Sequence, residues 1–218
     1  MTDAIVSING SGMQSLEILF LLTLITLLPS ILVMMTSFTR IVIVISLLRN
    51  AMGLQQTPPN TVVVGIALFL SLFIMQPVLT DITETAYEPY KADLITQEQA
   101  IDNASVPLKE FMLKQTKVES LNMFLNFADI SRPDNLMEIP MHVVIPAFIT
   151  SELSRAFLMG FLLYIPFLVI DMIVASVLMS MGMVMLPPSM ISMPFKLLLF
   201  VVVNGWELLF STLVSSFN

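Results

Sequence analysis

Six methionines fall within fifteen residues of this chain, at 179, 181, 183, 185, 190 and 193, and no charge interrupts the stretch between Asp171 and Lys196. Without a metal, a thioether does one thing well. It packs softly, because the side chain is unbranched, flexible and polarizable. A spacing of two does not align side chains on a helix, where face neighbours lie three or four apart. It does align them on an extended backbone. Gly182 permits irregular backbone there, and Pro187–Pro188 ends a helix. The stretch therefore predicts a loop between two apolar helical arms that aims Met181, Met183 and Met185 to one side. The plainer alternative is a buried helix that happens to be rich in methionine.

The other chemistry-bearing groups are lone charges in apolar surroundings: Arg40, Glu152, Arg155, Asp171, Lys196 and Glu207. Such groups sit badly in lipid and face partners, water or each other. Asp171 and Lys196 are expected to pair, because stripping one partner from a buried pair costs about 3–5 kcal/mol. Measured to the two prolines, one arm runs 15 residues from Asp171 to Leu186 and the other 7 from Ser189 to Lys196. At ~1.5 Å per residue those arms differ by about 12 Å. Either the long arm is broken near Gly182 or the pair forms between subunits, and the expectation favours subunits. Glu152 and Arg155 read as a local i,i+3 pair worth a few tenths of a kcal/mol. A subunit-bridging role for Glu152 is the second reading.

Enzymatic chemistry finds little support. His142 is the only histidine and there is no cysteine, so His-based triads, multi-histidine metal sites and thiolate chemistry are out. His142 is expected to sit in a satisfied polar niche. Neither GxSxG nor GxxxxGK[ST] occurs. No cofactor is implied.

Composition places these residues in a membrane protein, or in one that hides nearly all its surface against partners. Of 218 residues, 56% are hydrophobic and 11% charged, against about 25% charged in soluble domains. Mean hydropathy is +0.91. The net charge of −7 argues against nucleic acid, which needs a basic face. Residues 1–14 lack the basic n-region and small-residue cleavage site of a signal peptide.

The chain divides into an N-terminal helical hairpin (1–80), an acidic loop with an amphipathic helix (81–140), and C-terminal helices with the methionine loop (141–218). Residues 16–35 are long enough to span, since about 20 apolar residues suffice, and Pro29 should kink them. Gly53 and Pro58–Pro59 mark a break before a second uncharged span at 61–79. Segment 81–140 carries eleven acids and five bases. Its first part, to about Val106, reads as a loop. From Pro107, with Ser105 as cap, Leu108, Phe111, Met112, Val118, Leu121, Phe124 and Leu125 recur at helical spacing. Further apolar regions begin at Ala156 and Leu197.

Four spans result. Arg40 and Arg49, with no acid between the first two spans, should face the cytoplasm, which leaves the acidic loop outside. Five prolines from 140 to 188 predict broken helices, tolerated only where protein or a cavity covers the backbone. The expected fold is an all-α membrane protein of kinked and broken helices, built for an oligomeric assembly.

Several blocks carry a resemblance: MMTSFTRIVIVISLLRNAMGLQQTPPN (34–60), FMLKQT (111–116), PAFITSEL (146–153), GFLLYIPFLVIDMIVASVLMSMGM (160–183) and LPPSMISMPFKLLLFVVVNGW (186–206). They closely resemble the FliP family of flagellar type III export gate subunits, related to SctR subunits of injectisomes. The resemblance covers nearly all of the chain except residues 1–15 and about 81–106. It implies a homo-oligomer, a pentamer, joined by FliR-like and FliQ-like subunits and also FlhB-like ones, in a closed helical cone. It implies the inner membrane and the flagellar basal body, with the acidic loop periplasmic and the final assembly largely above the bilayer plane. Unfolded flagellar export substrates would cross it. The family's methionine constriction falls on Met181, Met183 and Met185. Asp171, Lys196, Glu152, Arg155 and Arg40 would serve charge pairing and assembly. Many members carry methionine where this chain has Val184, lysine where it has Ser154, and a cleaved signal sequence. Two other readings stay open: an injectisome gate subunit, and an ion or small-molecule transporter with Asp171 and Lys196 as relay groups.

Overall fold

The computed structural model describes residues 6–8, 11–13, 15–183 and 185–217. It opens with a small antiparallel hairpin, β1 (Val6–Ile8) and β2 (Ser11–Met13). The rest is helical: α1 (Ser15–Met35), α2 (Phe38–Ala51), α3 (Asn60–Ile82), α4 (Glu88–Lys91), α5 (Gln97–Gln115), α6 (Val118–Phe127), α7 (Met141–Ser180), α8 (Pro188–Val202) and α9 (Gly205–Ser215). A π-helical turn, Thr83–Tyr87, joins α3 to α4. Among the described residues, two helices, Asn60–Lys91 and Met141–Ser180, are long and apolar enough to cross a bilayer. Two bent pairs bring this to four if each counts as one span: Pro29–Met35 with α2, at 78°, and α8 with α9, at 64°.

α2 is the hub. Phe38, Ile41, Val44, Ile45 and Leu48 recur at three and four residues, so they form one stripe, and all are buried. Against that stripe pack Val63 and Ala67 of α3, Ala156 and Phe167 of α7, Phe200 of α8, and Leu209 and Leu213 of α9. Small residues set the approach of α2 to α7, as is usual between membrane helices. A Cβ on Gly160 would fall inside the Leu47 side chain. A second core joins Met35 to Met112, Leu121, Leu125, Ile139, Val144 and Phe148. Both cores draw on residues far apart in sequence.

Several expectations are corrected. Residues 81–106 are not a loop. The α3 helix runs on through Lys91, and α5 begins at Gln97, ten residues before the predicted start. The Thr96 hydroxyl accepts from Gln99 N–H, and the Gln99 side chain accepts from Thr96 N–H. This capping box supplies the helix with a start that does not depend on apolar side chains. Pro107 lies inside α5 rather than in its first turn. The amphipathic run splits at Thr116–Lys117, where both residues are extended. The predicted break inside 141–180 is absent: α7 is continuous through Pro146 and Pro166. Its 40 residues span about 60 Å, twice the ~30 Å of a hydrocarbon core. The sharp bends fall instead at Thr36–Ser37 and Val203–Asn204. Asn204 takes a left-handed conformation (φ 49°, ψ 49°), which asparagine tolerates better than most residues.

Candidate functional site

The methionine loop is a helix stop, not a strand-like run. Met181 is the C-cap of α7 with helical angles (φ −84°, ψ 0°). Gly182 turns left-handed at φ +78°. Its N–H donates to Met179 O and that of Met183 to Leu178 O, both at 3.0 Å. These two bonds make a Schellman motif, and they require a residue free to adopt positive φ at 182. Pro188 then opens α8 at its first turn, where a missing N–H costs nothing. The side chains do not share one environment: Met185 is 97% exposed and Met181 64%, while Met183 is half-buried. Met179 and Met190 are also exposed. Val184 lies outside the described residues. The loop therefore projects thioethers, with no charge from Met172 to Phe195, off the tip of a helical hairpin.

The charged residues form two pins that hold this hairpin. In the first, Asp171 Oδ2 accepts from Lys196 Nζ at 2.6 Å and Oδ1 accepts from Ser192 Oγ at 2.5 Å. Lys196 also donates to Ala51 O, the carboxyl end of α2, at 3.0 Å. A cation is favoured there by the helix dipole. The pair closes within one chain, against the expectation of subunit contact. The reason is where α7 ends. It stops at Ser180, so nine residues separate Asp171 from the helix end, and eight separate Pro188 from Lys196. Measured to the true helix ends the arms are nearly equal, and the charges meet.

The second pin is larger. Arg40 is 1% exposed and Glu152 is fully buried. Arg40 Nε donates to Glu152 Oε2 at 2.8 Å and Nη2 to Oε1 at 2.5 Å. The remaining donors reach Gln115 Oε1 (3.3 Å), Ser216 O (3.0 Å) and Ser216 Oγ (2.9 Å). All five guanidinium N–H groups are thus used. The Phe217 ring lies beneath, its centroid 3.7 Å from Cζ, a cation–π contact. Gln115 Nε2 donates to Phe217 O at 2.9 Å. One side chain therefore ties α2, α5, α7 and the end of α9 together. The expected i,i+3 bond between Glu152 and Arg155 does not form. Glu152 turns inward to α2, and Arg155 is half-buried and donates to Gln115 Oε1 at 2.7 Å. His142 is exposed in the first turn of α7 rather than held in a niche. Among the described residues no group of three His, Asp or Glu could hold a metal.

The family model described as the FliP family matches residues 21–213. The chain is 52% identical over 211 residues to a flagellar biosynthetic protein FliP of Pectobacterium carotovorum, covering 96% of this chain and 82% of the relative. It is 50% identical over 204 residues to that of Bacillus subtilis, covering 94% and 92%. For Aquifex aeolicus the figures are 49% over 213 residues, 96% and 89%. The chain belongs to the FliP family. It is thus a flagellar export component with membrane-spanning helices.

Sequence reasoning missed several members of this FliP-family site, and two of them left a signal. Gln115 sits three residues after Met112 on the buried side of α5, a polar residue at an apolar position. Ser192 precedes Lys196 by four residues, on the same face of α8. The Ser154 hydroxyl accepts from Lys117 Nζ at 2.7 Å.

The first pin carries a prediction. Lys196→Ala leaves Asp171 with Ser192 alone and frees Ala51 O. Asp171 is one-third exposed, with 34% of its side-chain surface accessible, so water softens the loss to about 1–3 kcal/mol. Glu98→Ala, on an exposed turn of α5, should change stability by less than about 0.5 kcal/mol. Thermal unfolding in mild detergent checks both, and equal midpoints for the two variants would show the pin to be idle.

Proposed function

We propose that this chain is a pore-forming subunit of the flagellar protein export gate, a homo-oligomer, of pentameric form, whose methionine loops close a channel for unfolded flagellar proteins. The relatives' name, flagellar biosynthetic protein, supports the system. The observation that carries the rest is the loop itself. Met181 and Met185 project uncovered from the tip of a pinned hairpin, and no charged residue occurs from Met172 to Phe195 to hold an ion. Copies arranged around an axis would meet through these thioethers. FliR-like, FliQ-like and FlhB-like subunits are the expected partners, the inner membrane of the basal body the location, and the acidic segment 81–140 the periplasmic side. Asp171, Lys196, Glu152, Arg155 and Arg40 act in assembly by fixing the hairpin rather than in transport chemistry. Asp171 and Lys196 have their polar atoms engaged with each other, Ser192 and Ala51, which disfavours a proton relay.

A photo-crosslinking amino acid at position 185 tests this. With an export substrate stalled by a folded fusion, position 185 should capture the substrate, and position 98 should not. Capture at 98 with none at 185 would place the translocating chain elsewhere.

A further inference from the structure

We propose that the cleft at Arg155 and Lys114, with the apolar groove that continues from it, holds one anionic phospholipid. Arg155 uses one N–H on Gln115 and has no carboxylate within 4.0 Å among the described residues. Lys114 is exposed and lines the same cleft of about 350 Å³. Arg40 lies behind them, already neutralised by Glu152. Asp81 and Glu110 approach Lys114 from the far side, in a separate cleft, which leaves Arg155 as the main unbalanced charge. A guanidinium in that state suits a phosphodiester, which it can bind through two parallel N–H groups.

Met159 lines this cleft and also a groove of about 510 Å³ whose walls include Leu162, Phe167, Leu199, Leu208 and Leu213. The groove is almost wholly apolar. Its α7 wall runs from Met159 to Phe167, about 12 Å of helix. That wall lies within the fifteen uncharged residues between Arg155 and Asp171, which rise about 22 Å, most of a hydrocarbon thickness of ~30 Å. Outward neighbours on the same stretch, Phe157, Phe161 and Ile165, are exposed and apolar. A cation therefore sits beside an apolar groove, with Met159 lining both, on a surface suited to lipid. A helix of a second copy could fill the groove but would leave the cation at its mouth unanswered. The assignment rests on the membrane helices alone and not on the export reading.

The test uses purified full-length chain, delipidated in mild detergent, and native mass spectrometry. Phosphatidylglycerol should be retained about fivefold better than phosphatidylcholine, one basic residue's effect near an anionic headgroup. Arg155→Gln should erase that preference, and Lys114→Gln, at an exposed site, should halve it with the fold intact by circular dichroism. Leu208→Trp, which fills the groove, should lower retention of both lipids. Inorganic phosphate should not displace the lipid. The proposal is overturned if Arg155→Gln keeps the preference or if phosphate alone competes. It is equally overturned if the variants alter only the oligomer distribution, which would assign the groove to a second copy. None of these readouts depends on export.

Discussion

Arg40→Ala is expected to cost about 3–5 kcal/mol, a large part of the ~5–15 kcal/mol that holds a typical protein folded. The substitution leaves the carboxylate of Glu152, fully buried on α7, without its bidentate partner. It also removes the donors to Ser216 and Gln115 and the cation over Phe217. The end of α9 should loosen first, because Ser216 loses both of its bonds from Arg40 and Phe217 loses the cation over its ring. Limited proteolysis in detergent should then cut near residue 216 in the variant and not in the wild type. A second variant separates charge from packing. Arg40→Met with Glu152→Leu removes both charges and keeps similar volume, and replacement of a buried pair in this way is often neutral or stabilising. The double variant should recover most of the thermal stability. An Arg40→Ala chain that unfolds at the wild-type temperature would mean that the pair contributes nothing to the fold.

The same residues show what was legible in the sequence. The α2 stripe of Phe38, Ile41, Val44, Ile45 and Leu48 repeats at the helical period and is buried together, but in sequence this segment reads only as a connection carrying Arg40 and Arg49. The Arg40–Glu152 pair was not legible, because its members are 112 residues apart and nothing local links them. Sequence spacing offered Arg155 as the partner for Glu152, and i,i+3 spacing is permissive rather than decisive. Burial decides. Glu152 faces the α2 contact, and a buried carboxylate takes the deepest cation within reach. The Asp171–Lys196 pair was legible as a pair but not in its geometry. The prolines mark where α8 begins, whereas α7 ends earlier, at the positive φ of Gly182. Counting to the prolines lengthened one arm artificially and pushed the pairing between subunits.

Proline counting misled a second time in α7. Pro146 and Pro166 each remove one backbone bond, yet the helix continues. Neighbouring helices and small local adjustments re-satisfy the freed groups in membrane helices. The first half of α7 has such neighbours, since Val143, Val144, Ala147 and Phe148 are buried in the second core. The bends fall where the chain changes packing partner instead. Loop 81–106 was misread for the opposite reason. It lacks large apolar residues, but Thr96 and Gln99 cap α5 through hydrogen bonds that hydropathy does not register.

If the proposed methionine gate is right, replacing Met181, Met183 and Met185 together with alanine makes the assembled complex leak small ions by about tenfold or more, without abolishing assembly. A narrow apolar constriction resists wetting, and widening it by removing side chains lets water and ions through. Assembly should survive because both pins lie outside the loop, at Asp171–Lys196 and Arg40–Glu152. Gly182 keeps its Schellman bonds, which are backbone only. Leucine at the three positions should seal at rest as well as methionine does. It should pass substrate less well, because a branched side chain conforms less readily around an unfolded chain than a thioether with three rotatable bonds. Met183 is half-buried in the single chain, so it should contribute least, and Met183→Ala alone should leak less than Met185→Ala alone. Conductance in planar bilayers, paired with export in cells, measures each variant. A triple-alanine complex that assembles and stays as tight as the wild type would reduce these methionines to ordinary loop packing, and a leucine complex that exports at full rate would remove the case for thioether flexibility.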